Sequence, residues 1–109
     1  MAREVFPDPN TRILRVSTDE MAPDFLRGDL LLFSPEKSWQ DGDVCLIRQG
    51  DTHSIRRVRG ADTGFLGLEC LGDRTKHTMV KAKDVQIEGV KTGYVRFDQP
   101  AENTGGQQP

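Results

Sequence analysis

Short alternating or wholly apolar runs, separated by turn-forming residues, organise the hydrophobic positions of this chain. "TRILRV" (11–16) alternates and is rich in branched residues, which predicts a strand. "DLLLF" (29–33) lies between Gly28 and Ser34-Pro35 and reads as a buried strand. "DVCLIR" (43–48) and "HSIRRV" (53–58) flank "QGDT" and predict a hairpin, opened by the turn signal Asp41-Gly42. A second strand pair, "FLGLECL" (65–71) and "HTMVKA" (77–82), is expected around "GDRTK". "VQIEGVKTGYVRF" (85–97) is strongly β-prone, with Gly89 and Gly93 as expected bulges or bends. The stretch "TDEMAPDFLRG" mixes turn formers with Pro23 and leaves room for one helical turn around residues 22–26. No long amphipathic helix and no internal repeat is present.

Strands at this spacing predict a single mainly β domain, a coiled and partly barrel-like sheet over residues 12–97. Residues 1–11 carry two prolines and read as a surface arm, and residues 98–109 have no apolar anchor and read as a disordered tail. At 109 residues the chain can bury one modest core.

The formal net charge of −2 supplies no general field for nucleic acid or an anionic membrane. Arginines do cluster at Arg56, Arg57 and Arg59, near Arg48. An ion-paired or solvated face is the expected reading; direct nucleic-acid binding is the rival, and steep salt dependence would identify it. Cys45 and Cys70 belong to no CxxC pair, and His53 and His77 do not sit at zinc-ligand spacing. Neither a metal nor a cofactor is therefore expected. The thiols read as buried and free in a reducing compartment, with a Cys45–Cys70 disulfide as the alternative. The opening residues lack an apolar signal core and no run approaches membrane-spanning length, so a cytoplasmic chain without a membrane anchor is expected.

"VSTDEMAPDFLRGDLLLF", followed by "DGDVCLIR" and "SIRRVRG", resembles the C-terminal domain of LexA and related phage repressors. These are self-cleaving serine peptidases whose β-rich fold is shared with signal peptidases. Met21, Pro23, Gly28-Asp29, Gly42-Asp43 and Arg57 stand where that pattern expects them. The resemblance implies that residues 87–96 form the final strand, which usually mediates dimerisation, with Ile87, Val90, Tyr94, Val95 and Phe97 as candidate contacts.

The two dyad positions depart from the family. Glu20 stands where the resemblance places the nucleophilic serine, and Arg56 where it places the lysine base. A carboxylate cannot form the acyl-enzyme ester of a serine. A guanidinium stays charged in proteins and cannot accept the proton. The expectation is a salt bridge between Glu20 and Arg56 filling a former active site. Rescue by Ser17, Thr18 or His53, or by Glu20 acting on a water, is the alternative.

Nineteen residues precede Glu20 and none is glycine, so neither a cleavable Ala-Gly or Cys-Gly bond nor a helix-turn-helix reader is expected there. The reading is thus a catalytically inactive, regulatory peptidase-fold domain. Its expected partners are a second copy, through the last strand, or a protein or peptide strand held in the groove. An active LexA-like or signal-peptidase-like enzyme with a relocated nucleophile is the runner-up; "IRRVRGADTG" is similar to the signal-peptidase segment after its lysine.

Overall fold

The predicted strands form close to where alternation places them. The computed structural model describes residues 9–60 and 63–97; the expected tail and most of the expected arm lie outside the described residues. β1 (Arg12–Arg15), β2 (Leu30–Ser34), β3 (Val44–Gln49), β4 (Thr52–Gly60), β5 (Phe65–Cys70), β6 (Asp73–Lys81) and β7 (Gln86–Val95) join in one sheet of order β1-β2-β7-β3-β4-β5-β6. Every neighbouring pair is antiparallel. The sequence did not predict the 3-10 turn Ala82–Asp84. Two other expectations shift: the helical turn reduces to one bond, Phe25 N–H to Met21 O at 3.0 Å, within a run of turns. β6 starts at Asp73, four residues earlier than predicted, because Gly72 at φ +87° lets the chain reverse at Leu71-Gly72.

β3 explains why its sequence is a continuous apolar run. Val44 and Leu46 enter one buried cluster with Val16, Phe25, Leu31 and Phe33. Cys45 and Ile47 enter a second with Val58, Leu66, Leu68 and Val90. Alternate residues on a strand point to opposite faces, so a strand buried on both faces must be apolar throughout.

The two Gly-Asp pairs fold into the same turn. Asp29 accepts the Leu26 N–H at 2.9 Å through Oδ2, and Asp43 accepts the Gln40 N–H at 2.9 Å in the same way. The Gly28 N–H donates to Val16 O and the Val16 N–H to Asp29 O, both at 2.8 Å. The Gly42 N–H donates to Val58 O and the Val58 N–H to Asp43 O, again both at 2.8 Å. Both glycines have positive φ, +96° and +93°. Each motif therefore launches a strand, β2 or β3, with its turn amides satisfied.

β7 carries two register shifts, opposite Leu32/Phe33 and opposite Leu46/Ile47, beside the expected bends at Gly93 and Gly89. The sheet curls until its far turns meet. A Cβ added at Gly72 would stand 2.5 Å from Ala22 O and 2.6 Å from Glu20 O, so the β5–β6 turn rests directly on the β1–β2 connection.

Candidate groove at the meeting of two turns

Where those turns meet, a cavity of about 470 Å³ opens. The β1–β2 connection gives it Thr18, Glu20 and Met21; β4 gives Ile55 and Arg56. The β5–β6 hairpin contributes Cys70, Leu71, Asp73 and Lys76. A second cavity, about 330 Å³, shares Thr18, Met21, Ile55 and Arg56 and continues along Leu14–Ser17 past His53 and Ser54. Together they make one groove, floored by apolar side chains and flanked by β1. That strand pairs only with β2, and no other described residue bonds along its outer edge.

The fold brings Glu20, Met21 and Arg56 to the lining of one cavity. The expected Glu20–Arg56 salt bridge is not formed: among the described residues no ion pair within 4.0 Å joins the two. Arg56 instead donates from Nη1 to Ile55 O at 2.9 Å, curling along its own strand. Glu20 is exposed, its backbone N–H donating to Thr18 Oγ1 at 3.2 Å.

The other motif residues have structural work outside the groove. Pro23 is exposed on the β1–β2 connection. Asp29 is buried, 2 % exposed, and takes three hydrogen bonds of 2.8–3.2 Å from Arg96. Those bonds hold its carboxyl below the usual carboxylate range, against burial acting the other way. Arg57 donates to Gly42 O at 3.1 Å and lies 3.6 Å from Asp24 and 3.8 Å from Glu69. It fastens β4 to neighbouring turns and lines neither cavity.

The remaining arginine cluster is ion-paired. Arg59 reaches Glu69 at 3.1 Å and Asp41 at 3.5 Å, and Arg48 reaches Glu88 at 2.8 Å. His53 lies 3.0 Å from the same Glu88, whose pKa is lowered first by Arg48 and then by His53.

Both cysteines are free, which removes the disulfide alternative. Cys45 is fully buried, and burial, helped by Asp43, pushes its thiol up to about 12. Cys70 is half-buried and lines the groove, a placement its apolar surroundings in the sequence did not signal. Asp73 and Lys76 were missed for the same reason, since only the Gly72 turn carries them there.

Two residues of the candidate dimer strand face inward. Val90 is fully buried and Ile87 packs against the same core, because the register shift between Gly89 and Ile87 brings both to the covered side of β7. Tyr94, Val95 and Phe97 are exposed at 48 %, 43 % and 52 %. Tyr94 leans on Phe25, with ring centroids 5.6 Å apart. Register puts Val95 beside Leu30, and Gly93 beside Leu32 and Ile13, on the opposite face.

Among the described residues, no group of His, Cys, Asp and Glu could hold a metal ion, and no helix is long and apolar enough to cross a membrane. Compared with known proteins, residues 1–92 match the family model described as Peptidase S24-like. No curated protein matches the chain.

Proposed function

The chain belongs to the Peptidase S24-like family, and from that premise we propose that it is a non-catalytic member, a regulatory domain that acts by holding other chains. The observation that carries this reading is the shared placement of Glu20 and Arg56. Both line the cavity formed by the two turns, and neither has the chemistry of a serine–lysine dyad. The groove persists with an apolar floor and an open strand edge, the features an extended peptide uses when it adds to a sheet.

Self-association through the exposed end of β7 is the companion proposal. Tyr94, Val95 and Phe97 remain available there, and Ile13 at 59 % exposure extends the apolar face across β2. A nucleic-acid role draws little support, since Arg48, Arg57 and Arg59 are engaged by carboxylates.

A second reading rests on one specific observation: Thr18, Cys70 and Lys76 line the same cavity as Glu20. They are the residues from which a relocated nucleophile and base would be drawn. Against it, Thr18 Oγ1 already accepts the Glu20 N–H, and among the described residues no hydrogen bond joins Lys76 to Thr18 or Cys70.

Labelling with a hydroxyl-directed fluorophosphonate and a thiol-directed peptide warhead separates the readings. The non-catalytic reading expects no fluorophosphonate adduct, and warhead labelling of Cys70 no faster in the wild type than in Lys76→Ala. An adduct at Thr18, or labelling of Cys70 that collapses in Lys76→Ala, would establish the relocated nucleophile instead.

A further inference from the structure

The arginines of this surface are unevenly matched. Arg12, Arg27, Arg48, Arg57, Arg59 and Arg96 each have a carboxylate within 4.0 Å. Arg15, Arg56 and Arg74 have none among the described residues. Two of these three, Arg15 and Arg56, line the same arm of the groove, the cavity that runs beside β1. Among the described residues that arm has no acidic lining residue. Glu20 and Asp73 belong to the other arm, under the β5–β6 hairpin.

The arm beside β1 has an apolar floor, Leu14, Val16, Met21, Leu46 and Ile55, continuous with the first core cluster, and Arg15 alternates with Leu14 and Val16 along the chain. Beside them runs the open edge of β1. The N–H and C=O of Val16 both turn toward the β2 side, to Asp29 and Gly28. Alternation along the extended chain then turns those of Arg15 outward, where a further strand can take them.

We propose that this groove receives an extended peptide bearing acidic side chains, laid against the open edge of β1, its carboxylates on Arg15 and Arg56 and its alternate apolar side chains on the floor. The proposal rests on the peptide-holding reading above and adds the chemistry of the occupant. Main-chain bonding along an edge supplies affinity for any extended chain; side-chain alternation supplies selection. Charge-assisted bonds from guanidinium to carboxylate supply the preference for acid. The same charges disfavour pairing of two β1 edges, since antiparallel alignment of "RILR" with itself sets Arg12 against Arg15.

The test is fluorescence anisotropy with a short labelled peptide alternating valine and glutamate, and its counterpart alternating valine and glutamine. The acidic peptide is expected to bind at least about ten-fold more tightly at low salt, with the difference shrinking as salt rises. Arg15→Gln combined with Arg56→Gln abolishes that difference, Arg56→Lys retains most of it, and Arg74→Gln leaves it unchanged. Circular dichroism checks that each variant is folded, and the peptide comparison on the wild type stands without any variant.

Equal binding of the two peptides would overturn the acidic preference while leaving a peptide groove in place. Binding of neither would overturn both. If oligothymidylate binds in their stead, with the same dependence on Arg15 and Arg56, the occupant is nucleic acid and the proposal falls.

Discussion

Asp29 shows how a residue that looks functional in the sequence can be structural. It sits in a motif shared with peptidases, yet its carboxylate accepts one turn amide and one guanidinium. Its pKa is depressed in the folded chain, chiefly by Arg96, below the reference 3.8. The stabilisation is therefore complete above that reference value and is lost as pH falls through the folded value. Asp29→Asn is expected to cost about 1.5–3 kcal/mol near neutral pH, the range for hydrogen bonds to charged groups. Urea midpoints measured from pH 7 down to pH 3 check this, with the variant showing the smaller decline on the acid side. Glu20 should behave in the opposite manner. Among the described residues it has no ion pair to lose, so Glu20→Ala is expected to leave the thermal midpoint close to wild type. The thiols divide similarly. With its thiol pushed up to about 12 and no exposed surface, Cys45 should resist an aromatic disulfide reagent until the chain unfolds, whereas Cys70 reacts in the native state.

Among elements, the β5–β6 turn has the largest reach, because it closes the sheet against the β1–β2 connection. Gly50 and Gly72 both have positive φ, but Gly50 opens to free space and Gly72 faces two carbonyl oxygens. Gly50→Ala should cost about 1–2 kcal/mol for the left-handed conformation alone. Gly72→Ala should cost clearly more, since backbone on one side or the other must move, and chemical denaturation of the two variants measures the gap. The same contrast marks what the sequence could disclose. Strand positions were legible because alternation and turn dipeptides are local signals. The doubling of the Gly-Asp turn was visible as a spacing, though its bonding was not. The rest of the groove wall depends on a meeting of residues about fifty positions apart in the chain, Ala22 and Gly72, for which no local pattern exists. The missing salt bridge has the same origin: Glu20 and Arg56 line one cavity, while packing decided which partner each side chain reached.

For the whole molecule, a curled sheet with a core on each side of β3 gives a rigid frame and leaves two surfaces open. One is the groove; the other is the apolar face made by Ile13, Leu30, Leu32 and Val95 across β1, β2 and β7. If that second face seats a second copy, Val95→Glu should lower the sedimentation-equilibrium mass to that of one chain, while Arg56→Gln leaves it unchanged. A mass already equal to one chain at high concentration would remove the self-association proposal and leave the groove reading intact.

On the reading proposed above, the groove holds a chain without cutting it. The most direct measurement of this is mass spectrometry of the protein together with a groove-binding peptide after prolonged incubation from neutral to alkaline pH. Both masses are expected to remain unchanged throughout. A cleaved peptide, a cleaved chain or an acyl adduct on the protein, each lost in Lys76→Ala, would contradict it.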